Sequence, residues 1–190
     1  MNMPAPETRW TVETRNALPD DGNRCKVIDG ELFVTPAPRS THEYAMGALY
    51  LMLAPYVKER KVGYAFFSSA DIELAADTVV QPDLLVAPSV DGHRPKDWGA
   101  IRHLILAVEV LSPSTARLDR VQKRMPYQRE GVDEYWIVDA DAREVQRWRP
   151  TDERPEVLGE QLVWQPSGVS DEQALLIDLP VLFAEIADER

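Results

Sequence analysis

The sequence predicts a single α/β domain built on a mixed, twisted sheet flanked by helices. Strand-like and helix-like patterns alternate along the chain, with no internal repeat and no low-complexity segment. Leu104 to Leu111 is apolar on both faces except at Glu109, the pattern of a strand at the centre of a sheet that is covered on both sides. A length of 190 residues suits one substantial core and is short for two. The expected domain is residues 1–190, with a core over about 10–150 and a strand and helix extension over 151–190.

A short helix or turn is expected near the N-terminus, then a strand from Cys25 to Ile28. An Asp29-Gly30 turn leads into a second strand, Glu31 to Thr35, and Pro36-Ala37-Pro38 ends the pairing. Ser40 with Glu43 fits a capping box for a helix from Tyr44 to about Glu59. Ala45, Leu49, Met52 and Tyr56 recur at helical spacing as its buried stripe, and Pro55 is a candidate kink. Tyr64 to Leu74 reads as one strand, alternating at its end with Ile72 and Leu74 inward. Val79 to Ala87 reads as the next strand, interrupted by Gln81-Pro82-Asp83, where proline implies an edge or a bulge.

The central strand, Leu104 to Leu111, is followed by helix-start residues Ser112 to Thr115 and a helix to about Glu130, with Pro126 bending its last turn. Gly131 suits the left-handed cap at its end. Tyr135 to Asp139 and Glu144 to Arg149 then form a hairpin, whose Trp136 and Trp148 suit core or a subunit contact. A weaker strand near Gln161 to Trp164 and a short amphipathic helix, Leu182 to Ala187, complete the pattern. The open edge of the hairpin offers a pairing surface, from which a homodimer is expected.

Composition narrows the function classes. Hydrophobic residues make up 44% and charged residues 28%, as in soluble globular proteins. No apolar run approaches the roughly 18 to 20 residues that span a bilayer. The N-terminal segment has neither a basic region nor an apolar run of a signal peptide. Cys25 is the only cysteine, which excludes an internal disulfide and a multi-cysteine zinc site and fits a reducing cytoplasm. The net charge of -11 argues against a nucleic-acid partner, but it is unevenly spread. Arg94 to Arg129 holds eight Lys or Arg against three acids, whereas Asp139 to Arg190 holds thirteen acids against five bases.

Two acids interrupt apolar strands, Asp83 and Glu109. Burying a carboxylate costs several kcal/mol unless its charge is compensated, so a pair of them suggests a shared metal site. Asp83 alone could instead accept backbone hydrogen bonds at a bulge. On the helix that follows Glu109, Asp119, Lys123 and Tyr127 fall on one face at i, i+4 and i+8, where Lys123 could equally pair with Asp119 in solvent.

Several motifs occur in order. They are Asp29-Gly30-Glu31, Pro36-x-Pro38 with His42 close behind, Gln81-Pro82-Asp83, and Val108-Glu109-Val110-Leu111-Ser112-Pro113-Ser114-Thr115. Asp119, Lys123, Tyr127 and Gly131-Val132-x-Glu134-Tyr135-Trp136 follow. From about residue 10 to the C-terminus the chain resembles the Uma-type family of restriction endonuclease relatives, once a domain of unknown function, in the restriction-endonuclease-like PD-(D/E)XK superfamily. Such a resemblance implies a restriction-endonuclease-like core and a metal-dependent endonuclease. It makes Asp83 and Glu109 the metal-binding acids, with the Val110 backbone carbonyl as a third oxygen ligand, and it makes Glu31 an early acid of the site. Lys123 becomes a relocated catalytic lysine, since Leu111 stands where many of these enzymes carry one on the strand. His42, Asp119 and Tyr127 are auxiliary candidates.

Hard oxygen ligands suit Mg²⁺ or Mn²⁺. The implied substrate is DNA, with RNA as an alternative. A catalytically silent nuclease-fold module for binding or assembly is the alternative from another class, motivated by an acidic net charge that repels DNA at long range.

Overall fold

In the computed structural model the described residues are 9–18, 24–28, 30–35, 40–67, 70–75, 77–111 and 124–189. The expected Pro36 to Pro38 break, the helix start at Ser112 to Thr115, Asp119 and Lys123 lie outside them.

A short helix α1 (Val12–Asn16) precedes the hairpin of β1 (Arg24–Ile28) and β2 (Glu31–Thr35), and the long helix α2 is Ser40–Glu59. Four strands follow: β3 (Tyr64–Phe67), β4 (Ile72–Ala75), β5 (Thr78–Val80) and β6 (Leu84–Ala87). Then come β7 (Leu106–Val110), α3 (Arg124–Arg129), β8 (Glu134–Asp139), β9 (Glu144–Trp148) and β10 (Glu156–Leu158). The chain ends with β11 (Gln161–Trp164), β12 (Leu175–Asp178) and α4 (Leu179–Ile186).

The main sheet has six strands in the order β10-β9-β8-β7-β6-β3. Its β7–β8 pair is parallel and the other pairs are antiparallel. A four-stranded antiparallel sheet, β2-β1-β5-β4, and the β11–β12 ladder complete the architecture. The parallel pair needs a long crossover, which α3 and the chain before it supply.

β7 sits inside the main sheet, and all five of its residues are buried. Its two faces belong to two cores. Leu106, Val108 and Val110 pack with α2, α4 and Trp136, whereas Ala107 packs with Leu85, Tyr127, Tyr135 and Ile137. Among the described residues the second face packs against Ile72 and Val80 of the small sheet and Tyr127 of α3. Leu162, Trp164, Leu182 and Phe183 belong to the first core, so the C-terminal elements are part of the packed interior.

Several expected elements differ in detail. Tyr64 to Leu74 is two strands, β3 in the main sheet and β4 in the small one, and Val79 to Ala87 likewise divides into β5 and β6. Gln81-Pro82-Asp83 is therefore the crossing between sheets rather than a bulge within one strand. Ser40 already lies inside α2, so it is not the residue before the helix that a capping box requires. Pro55 falls within α2 without ending it. The buried stripe of α2 is wider than expected, adding His42, Met46, Leu53 and Val57 to Ala45, Leu49 and Tyr56. Gly131 has φ +71°, the left-handed conformation expected after α3. Trp136 and Trp148 are both core residues. β10 covers the free side of β9, so the hairpin edge on which a homodimer was expected is already paired.

Gly63 sets how closely α2 and β3 approach β6. A Cβ placed there would fall far inside contact distance of the Ala87 carbonyl oxygen, a backbone atom with little room to move. Gly63→Ala is expected to destabilise the protein by about 1–3 kcal/mol through overpacking. Urea unfolding checks this, and an unchanged midpoint would show that the strands can separate freely.

Candidate active site

The ladder between β6 and β7 runs Val86 opposite Leu106, Leu85 opposite Ala107 and Leu84 opposite Val108, and stops there. Continued in the same register it would set Asp83 beside Glu109 and Pro82 beside Val110. Proline has no N–H and cannot extend the pairing. The side chain of Asp83 takes over, and its Oδ2 accepts the Val110 N–H at 2.9 Å. Asp83 thus accepts a backbone hydrogen bond, as the sequence allowed, but at the crossing between the sheets rather than at a bulge, and this places its carboxylate at the end of β7.

The same ladder end orients the Val110 carbonyl. The Leu111 N–H donates to the Val138 carbonyl of β8 at 2.8 Å. In a trans peptide unit the C=O points opposite to the N–H, so the Val110 carbonyl is directed away from β8, toward the Asp83 side. Pro82 has no N–H to occupy it.

Asp83 is 3% exposed and Glu109 is 2% exposed. Glu109 shares a face of β7 with Ala107. Its Oε1 accepts the Tyr127 hydroxyl at 3.1 Å. Tyr127 is fully buried on α3 and packs on Tyr135 with ring centroids 4.5 Å apart, so the hydroxyl is held by a fixed ring. His42 Nε2 lies 2.9 Å from Asp83 Oδ2, bringing the first turn of α2 into the site.

Hydrogen bonds thus join His42, Asp83 and the Val110 N–H in one group and Tyr127 and Glu109 in another, and the two groups meet along β7 at the neighbouring positions Glu109 and Val110. The structure does not bring Glu31 to them. Glu31 is exposed and lies opposite Ile28 at the start of β2. Val27 pairs with Val79, which carries this hairpin end to the beginning of β5, whereas Asp83 follows the other end of β5. Lys123 and Asp119 are outside the described residues. Two cations of the basic segment are engaged within the protein: Arg124 lies 4.6 Å over the Trp148 ring, and Arg129 pairs with Glu130 at 2.7 Å.

Gln81 is a participant that the sequence quoted without a role. It is 4% exposed, and its Nε2 donates to Asp71 Oδ1 at 2.6 Å. Asp71 also pairs with Arg15 of α1, so the crossing between the sheets is anchored to the N-terminal elements. The Gln81 Oε1 has no hydrogen-bond partner among the described residues. Nothing in residue spacing marks this link, because Gln81 and Asp71 meet only through the fold of β4 and β5.

Among the described residues no group of three or more His, Cys, Asp or Glu is placed to hold a metal. Two carboxylates and one backbone carbonyl are nonetheless a donor set that suits Mg²⁺, which is commonly held by one or two carboxylates plus water and substrate phosphate oxygens. Among the described residues no helix is long and apolar enough to cross a membrane.

No curated protein matches this chain. One solved structure with a similar fold is that of a "putative nuclease belonging to DUF820" from Anabaena variabilis, with a TM-score of 0.73 and 20% sequence identity over 93% of this chain and 99% of that one. At that identity the likeness is one of fold. A family model, Uma2, described as "Putative restriction endonuclease", matches residues 12–182. Extending over nearly the whole sequence and over every element that builds the site, that match shows that the chain belongs to the Uma2 family.

Proposed function

We propose that the protein is a divalent-metal-dependent endonuclease that hydrolyses phosphodiester bonds in DNA. The observation that carries this reading is the presence of two buried acids at the end of the β6–β7 ladder, Asp83 one residue before β6 and Glu109 within β7. Their carboxylates and the Val110 carbonyl would hold Mg²⁺ or Mn²⁺. A divalent ion bound there supplies Lewis acidity and lowers the pKa of water. The protein's part is positional. Tyr127 holds Glu109 through Oε1, and the Val110 N–H holds Asp83 through Oδ2. Water adds to phosphorus, the P–O ester bond breaks, and the leaving oxygen takes up a proton. Lys123 is the proposed cation that positions the water or meets the developing charge.

Supercoiled, linear and single-stranded DNA incubated with Mg²⁺ or Mn²⁺ test the reading. Cleavage by the purified protein is expected, with loss on addition of a chelator and in Asp83→Ala. Equal nicking by wild type and Asp83→Ala would remove the assignment, and cleavage confined to RNA would move the substrate.

A second reading, a binding or assembly module that keeps the nuclease fold without catalysis, is favoured by the net charge of -11 and by the internal engagement of Arg124 and Arg129. Calorimetric titration with Mn²⁺ separates the two, since the module requires no binding at Asp83 and Glu109.

A further inference from the structure

We infer that Gln81 is a positioning residue for the proposed metal site, fixing the crossing between the two sheets so that Asp83 meets the end of β7 in one place. The inference rests on the reading of Asp83 and Glu109 as metal ligands. It goes beyond that reading by extending the support of the site to β4 and α1, outside the main sheet.

The crossing has no ladder to hold it. β5 pairs with β1 and β4 as far as Val80, and β6 pairs with β3 and β7 from Leu84 onward. Gln81, Pro82 and Asp83 lie between these registers, and Pro82 has no N–H to donate. Two side-chain hydrogen bonds hold the crossing from opposite ends. Gln81 Nε2 donates to Oδ1 of Asp71, the residue before β4, at 2.6 Å, and the Val110 N–H donates to Asp83 Oδ2 at 2.9 Å. The proline between them has φ restricted to about −65° and biases Gln81 toward extended backbone, so a movement of Gln81 is passed on to Asp83 rather than absorbed.

The small-sheet end is itself fixed. Asp71 Oδ2 pairs with Arg15 of α1, and Arg15 Nε donates to the Cys25 carbonyl of β1 at 3.2 Å. A carboxylate paired in this way only accepts hydrogen bonds, so Gln81 turns its amide nitrogen toward β4. Gln81 is 4% exposed, and a hydrogen bond to a charged group is about twice as strong as a neutral one. Sites keep their geometry to within about 0.5 Å only where supports of this kind lock it. Partners that orient a metal ligand typically change metal affinity by roughly 10- to 100-fold. Gln81 acts through Pro82 rather than on the ligand itself, which places it at the low end.

The experiment uses the full chain and Mn²⁺ alone, with the folding of each variant followed by circular dichroism. Gln81→Leu is expected to bind Mn²⁺ about 10-fold more weakly by calorimetry. Asp71→Leu removes the same bond from its other side and is expected to match it, and the double variant is expected to lose no more than either single one. Asp71→Asn keeps an oxygen for the Gln81 amide and is expected to recover most of the affinity. A purely structural role would lower the melting temperature without changing the Mn²⁺ affinity of the folded protein. Should Gln81→Leu fail to fold, equal affinities in Asp71→Leu and Asp71→Asn would overturn the inference. Wild-type affinity in folded Gln81→Leu, or losses that add in the double variant, with binding abolished in Asp83→Ala, would overturn it as well and leave the metal reading intact. Wild-type affinity in Asp83→Ala would defeat the metal reading and this inference together.

Discussion

Glu109→Gln is expected to reduce DNA cleavage by about 10²- to 10³-fold or more, the scale for removing one preorganised electrostatic group, while leaving the metal-free fold intact. Glutamine matches glutamate in shape, and its amide oxygen can still accept the Tyr127 hydroxyl that now bonds Glu109 Oε1 at 3.1 Å. What disappears is the negative charge of a side chain that is 2% exposed. Holding such a charge in a protein interior is costly, and a neutral amide avoids much of the desolvation. Thermal melting without metal is expected to stay within about 2 kcal/mol of wild type, and the stabilisation that wild type gains from added Mn²⁺ is expected to vanish. Retained cleavage would exclude Glu109 from the reaction. A loss of more than about 2 kcal/mol in the metal-free variant would instead mark the carboxylate as a structural ion partner.

Glu109 was legible in the sequence because its setting is local. Four apolar residues surround it on a five-residue strand, and few structural roles suit an acid there. β7, the β8–β9 hairpin, the buried face of α2 and the Gly131 turn were legible for the same reason, since each rests on a short-range period or a backbone conformation. Sheet membership was not. Both halves of Tyr64 to Leu74, and both halves of Val79 to Ala87, have strand-like composition, and alternation does not say which sheet a strand joins. The function of Pro82 follows from that hidden choice, because it ends a ladder that the sequence does not display. His42 and Asp83 are 41 positions apart, and their hydrogen bond exists only once α2 lies against the main sheet. Glu31 shows the opposite case, a residue with a plausible local motif that the register of β1 on β5 carries elsewhere. β10 and β12 are short strands of three and four residues with exposed positions, and β10 carries no alternation of burial to betray it.

Trp136→Ala is expected to cost about 3–5 kcal/mol of stability, a large part of the roughly 5–15 kcal/mol that holds a domain of this size. The ring is fully buried on β8 and meets Trp164 edge-on with centroids 5.7 Å apart, so its removal opens a cavity between the main sheet and β11. A second loss is added, because the indole N–H donates to Glu134 Oε2 at 2.8 Å. Glu134 is itself nearly buried, and burial raises its pKa above the ordinary carboxylate range even though the Trp136 bond and the charges of Arg147 and Arg149 act to lower it. For an acid raised in this way, the contribution to folding is complete below its unfolded pKa and is lost as pH rises through the folded value. Trp136→Phe separates the two effects, since it keeps most of the ring volume and removes the donor. Its expected cost is about 1–3 kcal/mol at a pH well above the raised pKa, where the ionised carboxylate has lost its indole donor, and less near about pH 4, below that pKa, where the carboxyl is protonated in both folded proteins. Urea unfolding followed by far-UV circular dichroism at the two pH values measures both variants. A cost of Trp136→Phe that does not change with pH would show that the indole N–H has no part in the ionisation of Glu134, and a cost of Trp136→Ala below about 1 kcal/mol would show that the core closes over the missing ring.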